Sequence, residues 1–272
     1  MGAGILLLIS GLFHVVVWAA NGFPSLQGPV TWRKPIEFGM SGAITTLSLA
    51  WVLGRLPRSR LWDWVAAIAI VFFVPETVLI DVQQWRGVPS HFNYATPFDA
   101  AVFSAMGIFI GIVAMGIAII AARSFLGVAG PPSTALAVRT GLLFLLVGQV
   151  LGGLILANQF GSDGPLANAS IVGVAGELKV PHALALHGLQ VLAVLALILE
   201  RAAVSSRTAL TAVASCAAGY ALVLAAATLQ TYAGIAPLAF TPLGLVASLA
   251  GVLLIAGPYL RGVIALRSPS LA

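Results

Sequence analysis

Two acids stand where the chain is otherwise hydrocarbon. Glu76 and Asp81 fall in Pro75-Glu76-Thr77-Val78-Leu79-Ile80-Asp81, within the third of eight apolar runs. An ionisable side chain inside a bilayer costs on the order of 2.5–3.5 kcal/mol, so it persists when it is paired or when it is used. Glu76 lies roughly nine residues from the outer end of its run, about 13 Å deep at about 1.5 Å per residue. With no cation on its own helix face, it holds a proton or is paired across helices. An acid that keeps its proton at neutral pH is suited to general-acid chemistry.

Four histidines are the natural partners of such an acid. His14 sits in the first apolar run and His187 in the sixth, each about two turns from the same side of the membrane. Either could take a proton as a base, or the two could be axial ligands of one b-type haem. His182 starts the sixth run and His91 stands in a connection. His182 and His187 are five apart and so face about 140° away from each other, which is not the one-faced spacing of a zinc pair.

The densest polar stretch runs from Gln83 through Trp85, Arg86, His91 and Asn93 to Thr96-Pro97-Phe98-Asp99. Gln83, Arg86, His91, Asn93, Asp99 and His182 are the candidates for holding the polar end of a substrate. Simple structural roles compete. Arg86 would pair with Asp81 or Asp99, and Asp99 and Glu37 would serve the first turn of their helices. The order Arg86-Gly87, Ser90-His91-Phe92-Asn93, Thr96-Pro97, then Pro181-His182 and His187-Gly188, resembles a family of bacterial integral membrane proteins of no assigned activity. The resemblance covers most of the chain, and it implies a membrane location but no function.

These residues must be positioned by helices. The chain of 272 residues is 60% hydrophobic and 8% charged, with a mean hydropathy of +1.06. Ordinary water-soluble domains are about 25% charged. The composition excludes such a domain and predicts an all-α integral membrane protein. Spans are expected at 3–20, 37–54, 64–84, 99–122, 135–157, 181–200, 208–231 and 242–260. The first is read as a retained helix, since no basic segment precedes it. Nine of the thirteen Lys and Arg fall in the connections on one side. The positive-inside rule makes that side cytoplasmic, together with both termini, in a multi-pass protein of the cell inner (plasma) membrane. The net charge of +5 follows this distribution and is no signal for nucleic acid. The longer outer connections carry Trp32, Lys34, Arg86, His91, Asn93, Asp163 and Glu177. The single cysteine, Cys216, excludes an internal disulfide and reads as a small buried hydrophobe.

The chain also reads as written twice. Gly42 answers Gly188, Gln83 answers Gln230, and Thr96-Pro97 answers Thr241-Pro242, at offsets of about 146 residues. Gly11 answers Gly148 at an offset of about 137. The expected organisation is a tandem duplication, with one four-helix repeat over 1–130 and a second over 131–272. The repeats differ in their polar residues. Glu37, Glu76 and Asp99 have no acidic counterpart in the second.

Three functions fit this pattern. The first is a membrane-embedded enzyme performing acid–base chemistry, such as cyclisation or isomerisation, on an isoprenoid- or quinone-like lipid. Its catalytic groups would be Glu76, Asp81, His14 and His187, in the extracytoplasmic half of the membrane. The second is a redox protein with haem b on His14 and His187. Its duplicated four-helix architecture is similar to that of haem A synthases, although histidines in the second, fourth and eighth helices and loop cysteines are missing. The third is a proton-coupled transporter, which fits the buried acids but not the scarcity of polar residues in the cytoplasmic halves of the helices. The expected partners are the lipid bilayer and a lipophilic small molecule.

Overall fold

A computed structural model describes residues 1–160 and 169–267. Asp163 lies outside the described residues. Among the described residues the chain is all-α apart from one small hairpin. Nine helices occur among the described residues: α1 (Gly2–Ala20), α2 (Arg33–Leu53), α3 (Arg60–Val71), α4 (Phe73–Trp85), α5 (Pro97–Ser124), α6 (Pro132–Phe160), α7 (Lys179–Arg201), α8 (Ser206–Tyr232) and α9 (Pro242–Arg267). They form eight segments long and apolar enough to cross a membrane, because α3 and α4 together make one span. The spacing predicted an unbroken helix there. The break falls at Phe72, and Pro75 supplies its cause. Proline has no amide hydrogen for the carbonyl four residues back, here Val71. The Phe72 amide bonds instead to Ala69 three residues back, at 3.2 Å. Glu76 thus begins a new helix rather than continuing an old one.

Two compact units emerge: Met1–Gly54 with Arg58–Ile120, and Arg55–Pro57 with Ala121–Ala272. In the first, α1 lies along α2, and both meet α4. Glycines make this approach close. A Cβ on Gly39 would lie 2.6 Å from the Gly11 Cα, so these two backbones touch. Membrane helices associate through such small-residue contacts, because lipid is as apolar as leucine and gives no hydrophobic drive between them. Leu7, Ala43, Leu49, Ile80 and Met106 fill the interior of the unit.

In the second unit α6 packs on α7, and α8 packs on both. Its core includes Leu192, Leu195, Val213 and Cys216, and Cys216 is wholly buried. The helix α9 leans on α8 through Gly251 and Gly219, while its leucines and valines face outward, as residues that meet lipid do. Strands β1 (Ile171–Val172) and β2 (Gly176–Glu177) pair antiparallel in the connection before α7. A Cβ on Gly176 would lie 2.0 Å from the Thr231 carbonyl oxygen, so only glycine lets this hairpin seat on the end of α8. The helical periods gave no sign of it.

Several local geometries recur in both units. A Cβ on Gly11 would come within 2.8 Å of the Met40 nitrogen, and one on Gly148 within 3.1 Å of the Leu186 nitrogen. The Thr96 hydroxyl caps the Asp99 amide at 3.1 Å, and the Thr241 hydroxyl caps the Gly244 amide at 3.0 Å. Gly87 and Gly234 end their helices with φ of 70° and 71°.

Candidate functional site

The chemistry-bearing residues of the first unit fall into three groups around α4, not one. On a helix, residues five apart face about 140° away from each other, whereas those four or seven apart share a face. Glu76, Ile80 and Gln83 therefore share one face of α4, and Asp81 and Trp85 share another. Sequence reasoning put Glu76 and Asp81 in one site; the helix turns them apart.

The first group joins α1 to α4. Ser10 and His14, four apart, project from one face of α1. The Ser10 hydroxyl donates to Asp81 Oδ2 at 2.8 Å. His14 is 3% exposed. Its Nε2 accepts the indole hydrogen of Trp85 at 3.1 Å. An indole nitrogen only donates, so Nε2 is unprotonated and the proton of the neutral ring is on Nδ1. That proton is directed to the Ser10 carbonyl at 2.9 Å. Asp81 Oδ1 lies 3.9 Å from Nδ1 and accepts no hydrogen bond. A carboxylate oxygen is thus already in place for the positive charge the ring would carry after taking a proton. Phe13, Trp32 and Trp85 surround the ring, with centroids 5.2, 5.9 and 6.3 Å away.

The second group is a clamp between the end of α4 and the start of α5. Asp99, 2% exposed, accepts from Gln83 at 2.9 Å and from Arg86 at 2.6 Å on Oδ1, and from the Thr96 hydroxyl at 2.7 Å on Oδ2. Arg86 also donates to Gln83 and lies 4.6 Å over the Phe98 ring. Of the two partners expected for Arg86, the structure selects Asp99. The cap of α5 is Thr96, with Asp99 three residues in. These residues hold the ends of two helices together, which gives Gln83, Arg86 and Asp99 a structural role.

The third group is the 86–96 connection. The Ser90 hydroxyl meets His91 Nδ1 at 2.9 Å and accepts from Lys34 at 3.3 Å. Phe38 and Phe103 flank the His91 ring at 5.6 and 6.1 Å. Burial, reinforced by the Lys34 charge, pushes His91 down to about 3, so the ring is neutral at physiological pH. Asn93 is 5% exposed and spent on the backbone: it donates to the Pro89 carbonyl at 3.0 Å and accepts the Ala95 amide at 3.1 Å. Both residues shape the turn.

Glu76 belongs to none of these groups. It is 3% exposed, and its Oε2 has no hydrogen-bond partner. The buried hydroxyls of Thr77 on α4 and Thr46 on α2 are also unpartnered. Unsatisfied buried polar atoms are uncommon in folded proteins. Glu37, by contrast, is exposed and pairs with Arg33 at 3.2 Å.

The histidines of the second unit act within it. His182 Nδ1 meets the Gly148 carbonyl at 2.8 Å, which ties α7 to α6. His187 lines an apolar groove of about 380 Å³ with Lys179, Leu184 and Tyr220. Both ring nitrogens of His14 are engaged within the first unit. No group of three or more His, Cys, Asp or Glu suited to a metal ion occurs among the described residues.

Several participants were not picked out from sequence. Ser10 carried a usable signal, four residues before His14. Arg55 binds Glu200 through two hydrogen bonds of 3.0 and 3.2 Å, and Thr134 also donates to Glu200. Arg55 and Glu200 are far apart in sequence, and no local pattern joins them. Comparison with known protein families, curated proteins and solved structures finds no match.

Proposed function

We propose that the protein is a membrane-embedded enzyme that performs acid–base chemistry on a lipophilic, isoprenoid- or quinone-like molecule. The observation that carries this reading is the His14–Asp81 pair. A neutral imidazole with its lone pair on Nε2, backed at Nδ1 by a carboxylate oxygen without a hydrogen bond, is arranged as a general base. A proton leaving a substrate carbon or oxygen would go to Nε2, and Asp81 would balance the resulting imidazolium. The aromatic rings of Phe13, Trp32 and Trp85 make the surroundings apolar and suit them to a hydrocarbon substrate.

Glu76 takes the part of the acid. Isomerisation and cyclisation both need a proton returned at a second position, and a carboxyl buried without a partner holds one. It lies on another face of α4, about 7.5 Å along the axis from Asp81, which suits an elongated substrate. We place the enzyme in the inner membrane, with these groups in the extracytoplasmic half, from the distribution of Arg and Lys. The recurrent Gly11/Gly148, Thr96/Thr241 and Gly87/Gly234 geometries support descent of the chain from a duplicated four-helix unit.

The test begins with lipid extraction of the purified protein and mass spectrometry of what co-purifies. Conversion of the recovered compound is then followed with the wild type, Glu76→Gln and His14→Gln. Both variants should fold, since each keeps a neutral hydrogen-bonding side chain, and both should lose at least about 100-fold in turnover. Full turnover by a folded His14→Gln would end the assignment of the base.

A further inference from the structure

We infer that Trp85 is a gate over His14: its indole occupies the base's lone pair while the site is empty, and the substrate's acidic hydrogen takes its place. The inference rests on His14 being the base, and it identifies what the substrate must displace.

The geometry poses the problem directly. A lone pair that accepts the Trp85 indole hydrogen at 3.1 Å cannot take a proton from anything else. His14 is therefore a permanent structural anchor, or the indole moves. Two observations favour movement. The first is the unpartnered Oδ1 of Asp81 beside Nδ1. A histidine that stays neutral needs no counter-charge, and a buried carboxylate oxygen left without a hydrogen bond is costly. The second is the asymmetry of the pair. His14 is 3% exposed and held on its other side by Ser10, whereas Trp85 is 57% exposed. The indole is the half that is free to turn.

The helix end itself is not free to move. Arg86, next to Trp85, is fastened to Asp99 and Gln83. The Val88 amide bonds back to the Gln83 carbonyl at 3.1 Å. Opening is therefore a side-chain rotation about a fixed backbone, with no displacement of α4. Phe13 and Trp32, whose ring centroids lie 6.4 and 5.1 Å from that of Trp85, remain as the walls of the vacated place. The space between them and Nε2 suits a flat apolar group that offers one hydrogen. That describes the head of a hydroquinone or an activated allylic position better than a charged headgroup.

The experiment is acylation of histidine by diethyl pyrocarbonate at pH 7 on the detergent-purified full chain, read by peptide mass mapping. The reagent attacks an unprotonated ring nitrogen. Trp85→Phe keeps an aromatic ring but removes the hydrogen bond. His14 should react about tenfold faster in this variant than in the wild type, the factor that corresponds to a hydrogen bond of about 1.4 kcal/mol. The rate at His182 should not change. In the wild type, His14 should react slowly but measurably, through the open state. An equal rate in the two proteins would overturn the gate. So would a wild-type rate equal to that of free N-acetylhistidine, or no wild-type reaction over hours. Should Trp85→Phe fail to fold, the two wild-type outcomes still decide. If the gate result stands while His14→Gln retains turnover, the fault lies in the assignment of the base and not in the gate.

Discussion

The indole of Trp85 and the imidazole of His14 meet across 3.1 Å, and this bond decides which histidine nitrogen holds the proton. The residues come from α4 and α1, and 71 positions separate them. On its other side the ring is turned toward Ser10 and Asp81. One hydrogen bond thus converts a histidine of ambiguous tautomer into one with a defined accepting face, and the Asp81 Oδ1 beside it accepts no hydrogen bond.

The Asp99 clamp predicts a stability effect separable from catalysis. Asp99→Asn removes the charge that holds Arg86, and with it at least one of the hydrogen bonds from Gln83, Arg86 and Thr96. Hydrogen bonds to charged groups contribute about 1.5–3 kcal/mol each. The Arg86 side chain is 38% exposed, so its share is discounted for screening. The expected outcome is a lower Tm in detergent. The tautomer of His14 should not change. An unchanged Tm would mean that the clamp does not hold the two helix ends.

The contact between Gly11 and Gly39 predicts a contrast between glycines. In Gly39→Ala the added methyl meets backbone on α1, so the two helices must separate. Overpacking of this kind costs about 1–3 kcal/mol. A Cβ on Gly107 meets nothing within 4 Å, so Gly107→Ala should be neutral or slightly stabilising. Thermal unfolding of both variants checks the close approach of α1 and α2, and equal effects would contradict it.

His91 sets a pH dependence. Its folded value is lowered to about 3, first by burial and then by Lys34, against about 6.5 in an unfolded chain. Between these values the unfolded state binds the extra proton, so stability rises with pH through the window. Stability contributed by the neutral ring is full above about 6.5 and is lost as the pH falls toward about 3. His91→Gln should flatten the profile in that range. A wild-type Tm that does not fall between pH 6.5 and pH 4 would show that His91 is not held neutral.

How much of this was readable from sequence depends on the range of the interaction. The eight spans follow from hydropathy and length, and the structure has eight such segments. The importance of α4 was visible because Glu76 and Asp81 violate the apolar pattern. Their separation onto two faces was also visible in principle, because it follows from helical geometry. The role of Trp85 was not. A tryptophan near a helix end is expected of any membrane protein, and only the fold brings it to His14. The clamp of Arg86 on Asp99 was not legible either, because charge density alone does not distinguish a clamp from a binding group. Asn93 spends its side chain on the backbone of its own turn, which polar composition does not announce.

The interruption at Phe72 has a mechanical consequence. A continuous helix resists bending along its whole length, but a missing rung concentrates compliance at one point. Here that point lies four residues before Glu76. The span bends there more readily than a continuous helix would, and the carboxyl sits beside that point. Bending there would move α3 against α4, whose far end the Asp99 clamp holds, and so change the space around Glu76. The acid therefore sits where the span yields most easily, on a short helix whose far end carries the residue that covers the base.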